Sequence, residues 1–143
     1  EWKIDSNSNS GVFYNARELD NVRAIYEVAP EYQLIDDMHF KVRIKKDQYS
    51  GANYAMHEPV GARVKPLDQW NETRIIVKGP HVEHWLNGVK VVEYELGSDD
   101  WVKRRNSGKW KDYPYYGTAD EGHIGFQDHG GLTMFRNIKI RRL

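Results

Sequence analysis

Apolar and polar residues alternate along much of the chain, the two-residue period of half-buried β-strands. The alternation begins at Glu1-Trp2-Lys3-Ile4-Asp5 and resumes with Val12 and Tyr14 in NSGVFYNA. Residues 22–28 are apolar-rich, and Tyr32, Leu34 and Ile35 follow in EYQLID. The runs ANYAMH (52–57), TRIIVKG (73–79), HVEHWL (81–86), VKVVEYEL (89–96), GHIGFQD (122–128) and TMFRNIKIRRL (133–143) complete the set. Asn87-Gly88 separates two of them and supplies the positive φ angles of a type I′ turn, so a two-residue hairpin is predicted there. One helix is well specified. Ser98 serves as its N-cap, Asp99 and Asp100 suit its positive end, Lys103 to Arg105 suit its negative end, and Gly108 ends it. FKVRIKKD (40–47) alternates like a strand, yet a loop or short helix fits it equally. Many short antiparallel strands with little helix predict an all-β sandwich or barrel in a single domain over 1–143.

Composition narrows the function classes. Twenty-one basic residues balance twenty-one acidic ones. Such neutrality argues against a dedicated nucleic-acid binder, which needs a basic field to displace counterions. The chain has no cysteine, so disulfide scaffolds, zinc fingers and thiol nucleophiles are excluded together. No apolar run approaches the ~18 residues that a membrane-spanning helix needs. Aromatic residues make up 13% of the chain, a density that suits a β-rich protein with a stacking surface. The strand that opens at residue 1 without an initiator Met suggests a processed or truncated chain.

Several residue types could carry chemistry. His81 and His84 lie three apart on a strand and so point to opposite faces, which predicts hairpin surface residues and no shared ion. His123 is expected to be structural. His129, beside Gly130-Gly131, could brace a turn or serve a site. His57 ends a predicted strand and is the histidine most readily given a function. On a period-2 strand Tyr32 and Leu34 form the core pair, leaving Glu31 and Gln33 on the opposite face, where a carboxylate and an amide can bind vicinal sugar hydroxyls. Asp36 and Asp37 follow directly. Paired carboxylates in a sandwich suit glycoside chemistry. Trp70 and Trp85 fit packing better than sugar stacking. Asn71-Glu72-Thr73 matches a glycosylation sequon, although Asn71 adjoins a strand. The chain holds neither a phosphate-binding glycine loop nor a G-x-S-x-G elbow.

Taken in order, NSGVFYNA, EYQLIDD, SGANYAMHEP, KPLDQWNETRIIVKGPHVEHWLNGVKVVEYE and GHIGFQDHGGLTMFRNIKIRRL resemble the 3-keto-disaccharide hydrolase domain family. The resemblance implies a concanavalin A-like jelly roll of two antiparallel sheets with a concave sugar face and one short helix. It also implies that the strands opening the family's domain are missing from this chain. The implied activity is cleavage of 3-keto-glycosides by C2 proton abstraction and elimination, with net hydrolysis after water adds. A non-catalytic carbohydrate-binding module on the same fold is the alternative. Carried over by motif position, Glu31, Asp36 and His57 are the expected catalytic residues. Asn9, Tyr14, Gln33, Gln127 and His129 are the expected substrate-binding ones. The developing enolate calls for hydrogen-bond donors or a divalent metal ion, and both stay open. A saccharide substrate, a 3-dehydrogenating oxidoreductase as pathway partner and a periplasmic or secreted location are implied as well.

Overall fold

A computed structural model describes all 143 residues. Eight strands form three antiparallel sheets. β1 (Trp2–Ile4) pairs with β8 (Thr133–Phe135). The central sheet runs β3 (Glu31–Ile35), β2 (Asn9–Ala16), β7 (His123–Phe126). The third is the meander β4 (Thr73–Lys78), β5 (His81–Leu86), β6 (Val89–Glu95). The single α-helix, α1, covers Asp99–Ser107. The chain is thus an all-β sandwich with one helix, as its patterning predicts.

Alternation decides what each sheet buries. Along β5, Val82, His84 and Leu86 are buried and their neighbours are not. β6 departs from strict alternation because its register slips opposite His84 and Trp85, which lets Val91 and Val92 both turn inward. These side chains meet Tyr14, Tyr32 and Leu34 of the central sheet in one core. The Tyr32 hydroxyl donates to the Trp85 carbonyl at 3.2 Å and ties the two sheets. Trp2 of β1 closes one end of the core, its indole N–H donating to Thr73 Oγ1 at 2.8 Å.

Local signals read correctly where the chemistry is local. Asn87 and Gly88 take φ of 49° and 82° and join β5 to β6 in the expected two-residue turn. Ser98 Oγ caps α1 by accepting from the Trp101 N–H, and Gly108 follows its last residue. A 3-10 turn, Lys109–Asp112, comes next and buries Trp110. Trp110 stacks on Tyr116 with centroids 4.1 Å apart. Asn71 is structural: buried, it accepts from the Lys65 N–H and the Asn87 amide, and it pairs with the Trp2 backbone.

Three expectations need correction, and the open choice at FKVRIKKD falls to one of its two alternatives. Residues 22–28 form a 3-10 turn (Ile25–Glu27) because Leu19, Val22 and Tyr26 fold over Phe13 as an irregular cover. ANYAMH is a chain of turns, with Ala55 at φ 57°. It still lends the central sheet an edge, since Ala52 accepts from the Gln33 N–H and the Tyr54 N–H donates to Glu31. FKVRIKKD resolves as loop leading into a short 3-10 turn at Lys46–Gln48. His84 lies in the core, not on the hairpin surface, while His123 is exposed.

Candidate active site

The face of the central sheet away from the core carries a polar row. β2 and β3 pair with Gly11 opposite Gln33 and Phe13 opposite Glu31, so Asn9, Gly11, Gln33 and Glu31 share that face. β7 extends it: the Gln127 N–H donates to the Gly11 carbonyl at 2.9 Å, which places Gln127 beside the same glycine. Gly11 has no side chain, and the Glu31 carboxylate lies across the space a methyl group there would fill. Gln33 Nε2 donates to Asn9 Oδ1 at 3.2 Å; with its amide turned over, the nitrogen would instead donate to Glu31 Oε1 and the Ser10 carbonyl, 3.2 Å from each. Gln127 is half-buried with an unpartnered Oε1.

Loops cover this row so closely that Glu31 is 3% exposed. Burial without a direct ion pair pushes its carboxyl up to about 8, and the Lys109 charge opposes that rise only in part. Lys109 leads out of α1 on the turn anchored by Trp110. Its ammonium lies over Tyr54 (4.5 Å), Trp110 (4.6 Å) and Tyr26 (5.4 Å). Partial burial lowers its pKa from the usual lysine value, and Glu31 works in the other direction.

The other expected site residues lie elsewhere. Tyr14 faces the core, where a directed relay fixes it. His84 Nδ1–H donates to the Gly51 carbonyl (3.0 Å), so its Nε2 accepts from the Tyr14 hydroxyl (2.8 Å), which in turn accepts from Tyr94 (2.6 Å). His57 stacks on Tyr94 with centroids 4.8 Å apart and takes the Asn53 amide N–H at Nδ1. Its Nε2 faces Asp100 at 3.6 Å. Burial, helped by the Arg104 charge, lowers its pKa to about 4. Asp36 accepts backbone N–H bonds from Asn7 (2.8 Å), His39 (3.0 Å) and Met38 (3.1 Å). Burial works to raise its pKa, but those donors outweigh it and hold the carboxylate below its ordinary value. His129 is exposed in the turn beyond Gln127. The fold therefore gathers Glu31, Gln33, Asn9 and Gln127, and leaves Tyr14, His57 and Asp36 in other surroundings.

Two groups at this face escaped the sequence reading. Gly11 carried a usable signal, because a glycine inside a strand marks close approach by another group. Lys109 carried none, since its neighbours Tyr26 and Tyr54 come from remote segments. The cluster suited by donor type and spacing to a cation is His81, Glu83 and Glu93. It lies on the outer face of the meander, where the Lys90 ammonium already sits 2.6 Å from Glu93.

A family model for the 3-keto-alpha-glucoside-1,2-lyase-like domain matches residues 1–141. The chain belongs to that family. A curated relative from Bacteroides thetaiotaomicron, named 3-keto-disaccharide hydrolase, is 35% identical over the whole of this chain and 57% of its own length. A candidate glycosyl hydrolase from Parabacteroides distasonis ATCC 8503, solved by crystallography, superposes with a TM-score of 0.87 at 42% identity. That match covers 92% of this chain and 64% of the other. A second from the same organism gives 0.73 at 27% identity, covering 99% and 75%. The chain thus spans under two-thirds of the curated relative and of the first of these structures. Its family resemblance and its sandwich fold agree with the expectation from sequence.

Proposed function

We propose that this domain cleaves 3-keto-glycosides by 1,2-elimination, with Glu31 as the base that removes the C2 proton. A C3 ketone acidifies the C2–H bond, so the carbohydrate supplies the activation and the protein needs a well-placed base. Glu31 carries the proposal. A carboxyl titrating near 8 is about one-tenth ionised at pH 7, and that ionised fraction is a far stronger base than an ordinary carboxylate. The amides of Asn9, Gln33 and Gln127 surround it with donors and acceptors of the kind that hold sugar hydroxyls in place. Proton transfer to Glu31 and departure of the C1 oxygen yield an unsaturated 3-keto sugar and an alcohol. Water addition to the former gives net hydrolysis, the activity in the name of the Bacteroides relative.

The ketone requires an oxidoreductase that dehydrogenates C3 upstream, and a periplasmic or secreted setting accords with a pathway acting on imported glycosides. No helix is long and apolar enough to cross a membrane. The direct test incubates the domain with 3-keto-trehalose and simple 3-keto-glucosides in deuterated water and follows the sugars by mass spectrometry. Cleavage with deuterium at C2 is the expected result. Cleavage without exchange would favour direct displacement by water. Sugar binding with neither would leave the amide row as the surface of a carbohydrate-binding module.

A further inference from the structure

We propose that Lys109 is the electrophilic partner of Glu31, its ammonium facing the C3 carbonyl oxygen of the bound sugar and stabilising the enolate. The assignment rests on the elimination proposed above and adds the group that accepts the developing charge. Four observations support it. The ammonium lies over three rings, Tyr26, Tyr54 and Trp110, drawn from three separate segments, and such a cage holds a cation in place by its ring quadrupoles. Trp110, fully buried next to it, anchors the turn that carries it, and its indole N–H donates to the Tyr54 carbonyl at 3.2 Å. The Tyr54 N–H also donates to the Glu31 backbone carbonyl, so one ring of the cage stands on the segment paired with the strand that carries the carboxyl. Lastly, Lys109 forms no ion pair with any carboxylate although its charge is felt at Glu31. Its donors remain free for a ligand.

The electrons balance as follows. Glu31 carboxylate takes the C2 proton, the C2–H pair becomes the C2=C3 bond, and the carbonyl pair moves onto O3 opposite the Lys109 ammonium. The O3 pair then restores C3=O. The C2=C3 pair becomes C1=C2, the C1–O bond breaks, and the departing oxygen takes a proton from solvent. A single preorganised donor at such an oxyanion typically contributes about 10²–10³ in rate.

The groups whose charge or ionisation bears on Glu31 are Lys109, Tyr14, Tyr54 and Tyr116. The tyrosines have raised pKa values and stay neutral through the working range. Removing the Lys109 charge should therefore shift the rising, basic-form limb of the pH–rate profile upward from about 8.

Lys109→Met, which keeps the stem against the rings, Lys109→Gln and Lys109→Arg are compared with the parent on 3-keto-glucosides, with melting temperature as the folding control. Lys109→Met and Lys109→Gln should lose about 10²–10³ in kcat with KM little changed and the limb displaced to higher pH. Lys109→Arg should recover most of the rate and the original limb. If the parent cleaves and the Lys109→Met protein matches it, the assignment fails while the elimination stands. An equal loss in all three variants with an unmoved limb would show that Lys109 only packs, and would also overturn it. A parent that neither cleaves nor exchanges C2 removes the elimination and this role together.

Discussion

At the scale of single residues, Glu31 and Gly11 act as one unit. The strand places Glu31 on the polar face, and the missing Cβ of Gly11 gives its carboxylate room to lie flat on the sheet. Gly11 has no left-handed φ, so Gly11→Ala imposes a steric cost and no backbone one. Displacing a closely packed group should destabilise the fold by about 1–3 kcal/mol. On the proposed role of Glu31 it should also lower turnover, because the carboxylate is moved from its amides. Urea denaturation and kcat on a 3-keto-glucoside measure the two effects, and unchanged kcat would show that the carboxylate's position does not matter. Glu31→Gln keeps the shape and removes the proposed base. Turnover should fall by about 10²–10⁴ while sugar affinity holds within a few-fold. Loss of affinity with turnover intact would instead make Glu31 a binding group.

Elements show where sequence is and is not a sufficient guide. The β5–β6 turn and α1 were legible because each is specified within a few residues: Asn87-Gly88 by its φ angles, α1 by Ser98 and Gly108. Faces were legible for the same reason, since Tyr32 and Leu34 on one side of β3 put Glu31 and Gln33 on the other. Runs whose conformation depends on distant partners were not. ANYAMH looks like a strand, but the Ala55 N–H is taken by the Asp47 carbonyl and the segment breaks into turns. His57 and Tyr14, expected at the site by motif position, are drawn toward the core by the Tyr14–His84 relay and the Tyr94 stack, contacts between distant segments. Asn87 illustrates a local signal with non-local use. Its side chain accepts from the Glu72 N–H (2.8 Å) and donates to the Arg63 carbonyl and Asn71 Oδ1 (2.9 Å each). Asn87→Ala loses all three bonds and leaves an alanine at positive φ, so a loss of about 2–3 kcal/mol is expected in chemical denaturation. Ser98→Ala, which removes one cap, should cost about 1 kcal/mol. Equal losses would mean that the turn asparagine serves only its own hairpin.

For the molecule as a whole, buried titratable groups set opposing slopes of stability against pH. His57 and His84 are held neutral by burial, with pKa values near 4. The unfolded chain protonates them below about 6.5 and the folded one does not, so stability falls as pH drops from 6.5 toward 4. Glu31 behaves in the opposite way. Its folded pKa of about 8 exceeds its unfolded value of 4.5, so between those limits the folded state holds a proton that the unfolded state has released. Stability therefore declines as pH rises toward 8. Asp37, raised by burial to about 6, adds a like decline that ends there. Between pH 4.5 and 6 the two histidines and the two carboxyls nearly cancel. Above 6.5 Glu31 acts together with the exposed His81, whose pKa the Glu95 and Glu83 carboxylates raise and which slopes the same way, and below 4.5 the carboxylates held low, Asp36 among them, lose their bonds. Stability should thus peak near pH 6.5 and fall by on the order of 2 kcal/mol by pH 8, at about 1.4 kcal/mol per pH unit for one proton. Thermal unfolding from pH 4 to pH 9 measures the curve. Glu31→Gln should flatten its alkaline side and, by leaving the two histidines opposed only by Asp37, make stability fall more steeply on the acid side. A parent melting temperature that stays level between pH 6.5 and 8 would mean that Glu31 is ionised in the folded protein, and the base would then have to work with an ordinary carboxylate's strength.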